Sequence, residues 1–189
     1  MNRLTLGLII LLTIGTNAMA QSADSEESAK SLTAPVRTPE YTYEGLLALG
    51  HGKYVTQDLT GAEEQYEKAR LKNPARPEAY YYLGCTFKAE GKYDEAVNIL
   101  ASAATVAGEE NPSMNARALF LIAITWEAAG NLEKAKYAWI QYKAFAKLHP
   151  ENNPLIHIAD AHITAIDERS QQISEYAKVT DRIAANSKQ

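Results

Sequence analysis

Residues 77–110 read PEAYYYLGCTFKAEGKYDEAVNILASAATVAGEE, and the fold turns on this stretch. Small and apolar side chains recur at three- and four-residue spacing, which is the period of one face of a helix rather than of a strand. Gly91 divides the stretch where a left-handed residue suits a helix end. Pro77 suits a first helical position. The reading is a pair of antiparallel helices. Gly84 and Ala96 are small enough to let the two backbones approach, and Leu83, Phe87 and Leu100 fill the remaining volume.

The same pattern lies on both sides. Leu49-Gly50 precedes Leu83-Gly84 by 34 residues, and Ala62 with Ala96, Tyr66 with Leu100 and Ala69 with Ala103 stand at the same offset. A third copy follows an insertion of about five residues around 108–113. There Ile122-Ala123 replaces Leu-Gly, and Gly130, Ala135 and Trp139 repeat Gly91, Ala96 and Leu100. Asn111-Pro112 and Asn153-Pro154 each read as an N-cap followed by proline at the first helical position. Pro74 and Pro77 punctuate a further junction. A helix pair of this kind leaves one apolar face bare, so the next pair must cover it and the pairs stack.

These positions resemble the tetratricopeptide repeat (TPR). Residues 77–110 match it best, through Tyr80, Leu83, Gly84, Phe87, Gly91, Tyr93, Ala96, Leu100 and Ala103. Residues 43–76 carry Leu46, Leu49, Gly50, Ala62, Tyr66, Ala69 and Pro74, with Lys53 where an aromatic is expected. Residues 116–149 carry Leu119, Ile122, Ala123, Trp126, Gly130, Ala135 and Trp139. They depart at Tyr142, where alanine is usual, and the closing proline is displaced to Pro150, which predicts a longer second helix. The fold this implies is an all-α superhelix of about three helix-turn-helix repeats within residues 41–153. Residues 154–185 form a long C-terminal helix, apolar on one face through Leu155, Ile158, Ala159, His162, Ile163 and Ile166. Farther along it keeps only a thin stripe, Ile173, Tyr176, Ala177, Thr180 and Ile183. Its first half is expected to cap the third repeat and its second half to project or find a partner.

The ends of the chain are of another kind. Arg3 precedes an apolar run from Leu4 to Ile14, and Ala18-Met19-Ala20 place small side chains at a cleavage site before Gln21, so residues 1–20 read as a secretory signal peptide. That run is too short to span a bilayer, and no other stretch reads as transmembrane. Residues 21–40 are polar, hold Pro35 and Pro39, and read as a disordered linker. Loss of Arg3 with the leader takes the formal net charge from −4 to −5. A mildly acidic chain without a basic block suits neither nucleic acid nor an anionic membrane surface. Cys85 is the only cysteine, so no internal disulfide forms and the fold stands on packing. The expected location is the periplasm, with secretion as the alternative.

No phosphate loop, nucleophile elbow or His-Glu-x-x-His motif is present. The acidic pairs Glu63-Glu64, Asp94-Glu95 and Glu109-Glu110 suit helix first turns or turns. His157, Asp160 and His162 are the one ligand-like cluster, but His162 lies five residues from His157 and points elsewhere on a helix, and zinc asks for three or four converging ligands. The expectation is a protein with no catalytic residue, no metal and no cofactor.

The resemblance supplies the binding expectation. In TPR proteins, positions 2, 5, 9 and 12 of each first helix line a concave face that often takes a peptide. Here these are Glu44, Leu47, His51 and Tyr54, then Glu78, Tyr81, Cys85 and Lys88, then Arg117, Phe120, Ile124 and Glu127. Tyr80 is assigned to the core, and Tyr81 and Tyr82 to the groove. Adaptors of this family that clamp a C-terminal carboxylate carry Lys, Asn and Arg at set places. Those places hold Leu47, His51, Tyr82 and Leu121, with only Arg117 agreeing, so that mode is not expected. The implied function is a non-catalytic adaptor that holds a protein or peptide partner in envelope assembly, secretion or pilus biogenesis. An alternative is a structural subunit that self-associates or docks through its last helix. Whether the groove takes an outside segment, residues 21–40 or the last helix stays open.

Overall fold

The structure is a computed structural model that describes residues 40–152 and 155–187. The signal peptide, all of the linker but Glu40, and Asn153-Pro154 lie outside the described residues. Three helical hairpins follow one another: α1 (Tyr43–Val55) with α2 (Leu59–Lys72), α3 (Pro77–Ala89) with α4 (Tyr93–Ala107), and α5 (Pro112–Ala128) with α6 (Leu132–Leu148). A 3-10 turn (Pro150–Asn152) leads to α7 (Ile156–Asn186). No strand occurs among the described residues. Each helix packs on the next in chain order, so the hairpins stack.

Local signals set the helix starts. The side chains of Thr42, Asp58, Asn111 and Asn131 accept hydrogen bonds from backbone N–H groups three residues on, which satisfies donors the helix itself leaves unpaired. Pro77 and Pro112 open α3 and α5. The turn inside each hairpin is the same object. Gly91 and Gly130 have φ of 77° and 72°, and their N–H groups donate to Lys88 and Glu127 carbonyls three residues back. The first hairpin builds this turn with Gln57, at φ 64°, which donates to the Tyr54 carbonyl.

Close approach explains the small residues. Ala62, Ala96 and Ala135 are fully buried. A Cβ on Gly50 would stand 2.5 Å from the Tyr66 ring, and one on Gly84 would meet the Leu100 side chain as closely. Leu83 is buried, yet its repeat counterpart Leu49 is 38% exposed. The difference is positional: among the described residues no helix precedes α1 to cover that side. Tyr80 also departs from the expectation. It is half-buried rather than in the core, with its hydroxyl donating to the Pro74 carbonyl and Arg70 over its ring; Ala79 takes the buried place.

Two clusters make the core. One joins Tyr43, Leu46, Ala62, Tyr66, Ala79 and Leu83 of the first two hairpins. The other joins Ala123, Ala135, Trp139, Tyr142, Ala159 and Ile166 of the third hairpin and α7. Tyr142, at the place of the usual alanine, is buried with its ring edge-on to Trp139 and Phe120. α6 is longer than α2 and α4, 17 residues against 14 and 15.

Candidate concave binding face

The first helices α1, α3 and α5 carry the twelve positions named from the sequence. At the N-terminal end Glu44 and Glu78 are tied down. Arg76 reaches Glu44 at 2.5 Å and Glu78 at 3.2 Å and lies over the Tyr43 ring at 4.1 Å. The Tyr43 hydroxyl donates to Glu78 and accepts from the Ala79 N–H. Burial pushes the Tyr43 phenol up to about 12, so it stays a neutral donor. This network fastens α1 to α3 and leaves those two carboxylates little freedom to meet a ligand.

The middle of the face is aromatic. His51 stands edge-on to Tyr82 with centroids 4.2 Å apart and to Tyr66 at 5.6 Å. Burial lowers the His51 pKa, which keeps the imidazole neutral. Tyr82 stacks on Tyr66, so it serves the junction of hairpins one and two. Leu47 is buried. Tyr54 and Tyr81 are half-buried and reach the surface. The Arg117 guanidinium lies over the Tyr81 ring at 4.8 Å, within the usual range of a cation–π contact, and the Tyr81 hydroxyl is hydrogen-bonded to Cys85. Burial pushes the Cys85 thiol up to about 11, against the pull of Tyr81 and of the positive charges on Arg117 and Lys88. A thiol so held is protonated and a poor nucleophile. Among the described residues neither Arg117 nor Lys88 pairs with a carboxylate, whereas Lys53, Lys68, Arg70, Arg76, Lys92, Lys136 and Lys143 do.

The C-terminal end differs most from the sequence expectation. Phe120 packs inward, edge-on to Trp139 at 5.1 Å and Tyr142 at 5.4 Å, and Ile124 lies half-buried against the same cluster. Glu127 accepts from the Trp139 indole N–H at 2.5 Å and faces His162 Nδ1 at 2.7 Å. His162 in turn stacks on Trp139 with centroids 4.3 Å apart. Phe120, Ile124 and Glu127 therefore seat α7 and close the C-terminal end of the face. His162 is a wedge between helices, Asp160 pairs with Lys143, and His157 is exposed. No group of three metal-ligating side chains occurs among the described residues. The face thus reduces to Tyr54, Tyr81, Cys85, Lys88 and Arg117, with His51 and Leu47 as floor.

No protein-family pattern and no curated protein sequence matches the chain. Solved structures do. The chain is similar to PcrH from Pseudomonas aeruginosa, at 21% identity over 71% of this chain and 98% of that one, with a TM-score of 0.57. It is similar to the type III secretion translocator chaperone SycD from Yersinia enterocolitica, at 20% identity over 70% and 96%, TM-score 0.58. It is also similar to the N-terminal domain of stress-induced protein-1 from C. elegans, at 17% identity over 68% and 99%, TM-score 0.56. The stacked hairpins, the glycine turns and these likenesses agree. The chain folds as a tetratricopeptide-repeat protein. PcrH has been crystallised with the chaperone-binding region of PopD, and SycD with a peptide of the translocator YopD.

The TPR-like stack also carries a cleft that the sequence did not predict. A hollow of about 590 Å³ opens on the other side of the stack, between α4 and α6 over α5, lined by Val97, Ala101, Ile122, Trp126, Tyr137 and Ala138. The insertion at 108–113 was its one sequence signal. α4 ends at Gly108, with φ 53°, and α5 restarts at Pro112, so the third hairpin does not follow the 34-residue spacing that sets the second on the first.

Proposed function

We propose that the chain is a non-catalytic adaptor of the periplasm that holds a segment of a partner protein on its concave face, in envelope assembly, secretion or pilus biogenesis. The observation that carries the reading is the centre of that face. Arg117 and Lys88, two cations without carboxylate partners among the described residues, flank the neutral Tyr54, Tyr81 and Cys85 in a chain whose net charge is negative. Such a surface suits a segment that presents an apolar side chain to the tyrosines and carboxylates to the two cations. The peptide complexes of PcrH and SycD support the mode of use, and the signal-like leader supports export.

The test is site-specific photocrosslinking in the exporting cell. A photoreactive side chain at Tyr54 is expected to give a discrete protein adduct, and one at Tyr137, across the stack, is not. Arg117→Glu with Lys88→Glu is expected to lower the adduct at least about tenfold, as reversal of charge at a desolvated contact costs more than 1.4 kcal/mol. Equal adducts from both positions, or an adduct indifferent to the charge reversal, remove the concave face from consideration.

A further inference from the structure

We propose that residues 171–185 of α7 pair with the same residues of a second copy as an antiparallel helix pair, joining two chains end to end. α6 and α7 lie in a fixed register. Lys136 pairs with Asp167 at 2.5 Å, Lys143 pairs with Asp160, and Trp139 stacks on His162. These contacts define one antiparallel hairpin. Continued along it, Leu132, where α6 begins, faces residue 171. α7 runs on to Asn186 with no described residue packed beside it, and every residue from Asp167 to Ser187 is exposed.

The face it leaves open is the one that packs on α6. Ala159 and Ile166 are buried, and Ile173 and Thr180 continue the row at seven-residue spacing. Ile173, Tyr176, Val179 and Ile183 are 56%, 75%, 47% and 65% exposed. Four large apolar side chains within eleven residues, all on one side of a helix, form a seam rather than scattered surface hydrophobes. Arg169 stands on the row at its near end, and beyond it the charges keep off. Glu175, Lys178, Asp181 and Arg182 fall toward the opposite side, and Glu175 and Lys178 pair there at 2.8 Å. Ala177 and Ala184 flank the seam on one side, and on the other Glu168 and Glu175 line a shallow hollow with Tyr176 and Val179, so beyond Arg169 no positive charge stands beside the seam to select an acidic partner. What the seam requires is another uncharged stripe of alternating large and small residues, and α7 itself is one.

Orientation follows from volume, charge and dipole. In the antiparallel register centred on Lys178, Ile173 faces Ile183 and the large Tyr176 faces the small Thr180. A parallel pair sets tyrosine on tyrosine, brings Arg169 against its own copy and crowds two hairpin stacks together. The antiparallel partner also lies in line with α6, its C-terminus approaching the α6 N-terminus, which aligns the two helix dipoles head to tail. Such a twofold contact closes on itself as a dimer.

This inference stands apart from the concave face and is tested on protein expressed from the full coding sequence in an exporting host. Sedimentation from about 5 to 200 μM, the range in which a short seam dissociates, is expected to show the mass rising toward twice that of one chain. Ile183→Glu is expected to hold the protein at one chain while leaving its circular dichroism unchanged. With Cys85→Ala throughout, chains bearing Ile173→Cys and chains bearing Ile183→Cys are expected to form a disulfide on oxidation when mixed, and neither alone. A single-chain mass across the whole range, or a dimer that survives Ile183→Glu, overturns the seam. Crosslinking of Ile173→Cys chains to one another overturns the orientation.

Discussion

At the residue scale, the three hairpin turns give a controlled comparison. Gly91, Gly130 and Gln57 occupy one backbone conformation with φ near +70°, but only glycine reaches it without a clash of its Cβ. Gln57→Gly is therefore expected to stabilise the chain by about 0.5–1 kcal/mol, read from urea unfolding, because the removed strain exceeds the added freedom of the unfolded chain. His51 makes a second point. Burial among Tyr66 and Tyr82 depresses its pKa below the ordinary 6.5. The folded form thus binds a proton less readily than the unfolded form, so stability is complete above the unfolded pKa and declines as pH falls below it. Melting temperatures measured from pH 7.5 to 5 are expected to fall, and His51→Phe is expected to flatten that slope.

Among helices, α7 is two objects in one. Its first turns bury Ala159 and Ile166 and set His162 on Trp139. Beyond residue 171 it outruns α6, and its residues there are all exposed among the described residues. A chain ending at Glu168 is expected to unfold within about 0.5 kcal/mol of the full chain at protein concentrations near 1 μM, where pairing is absent. A chain ending at Asn152 uncovers Trp139 and the α6 face and is expected to lose about 3 kcal/mol or more, since burial of each large apolar side chain is worth about 1.5–3 kcal/mol. Circular dichroism melts of the two truncations check both. The sequence marked where the apolar stripe thins; it did not reveal that α6 is spent by residue 171, because that depends on which residues of two helices lie side by side.

For the whole molecule, stacking was legible and the use of its faces was only partly so. The 34-residue recurrence of small residues reports a short-range necessity, that backbones in contact exclude side chains, and this survives in sequence as Gly50, Gly84 and Ala96. The concave face was legible as positions, but five of the twelve serve packing or junctions. Glu44 and Glu78 went to Arg76, Phe120 and Ile124 to the third hairpin, and Glu127 to His162 and Trp139. Tyr81 with Arg117 is the pair that remained on the surface. The cleft behind α5 left only the 108–113 insertion as a trace, because a hollow is defined by what two helices fail to cover.

By itself the sequence determined the helix pairs, the Asn111 cap, the turns at Gly91 and Gly130, the order of stacking and the small residues at each crossing, since all of these follow from contacts within one hairpin or from backbone conformation. Only the tertiary structure decided which polar side chains are spent on one another, how far α7 outruns α6, and which cations stay unpaired. Those outcomes depend on distances between residues far apart in the chain, and helical periodicity carries no record of them.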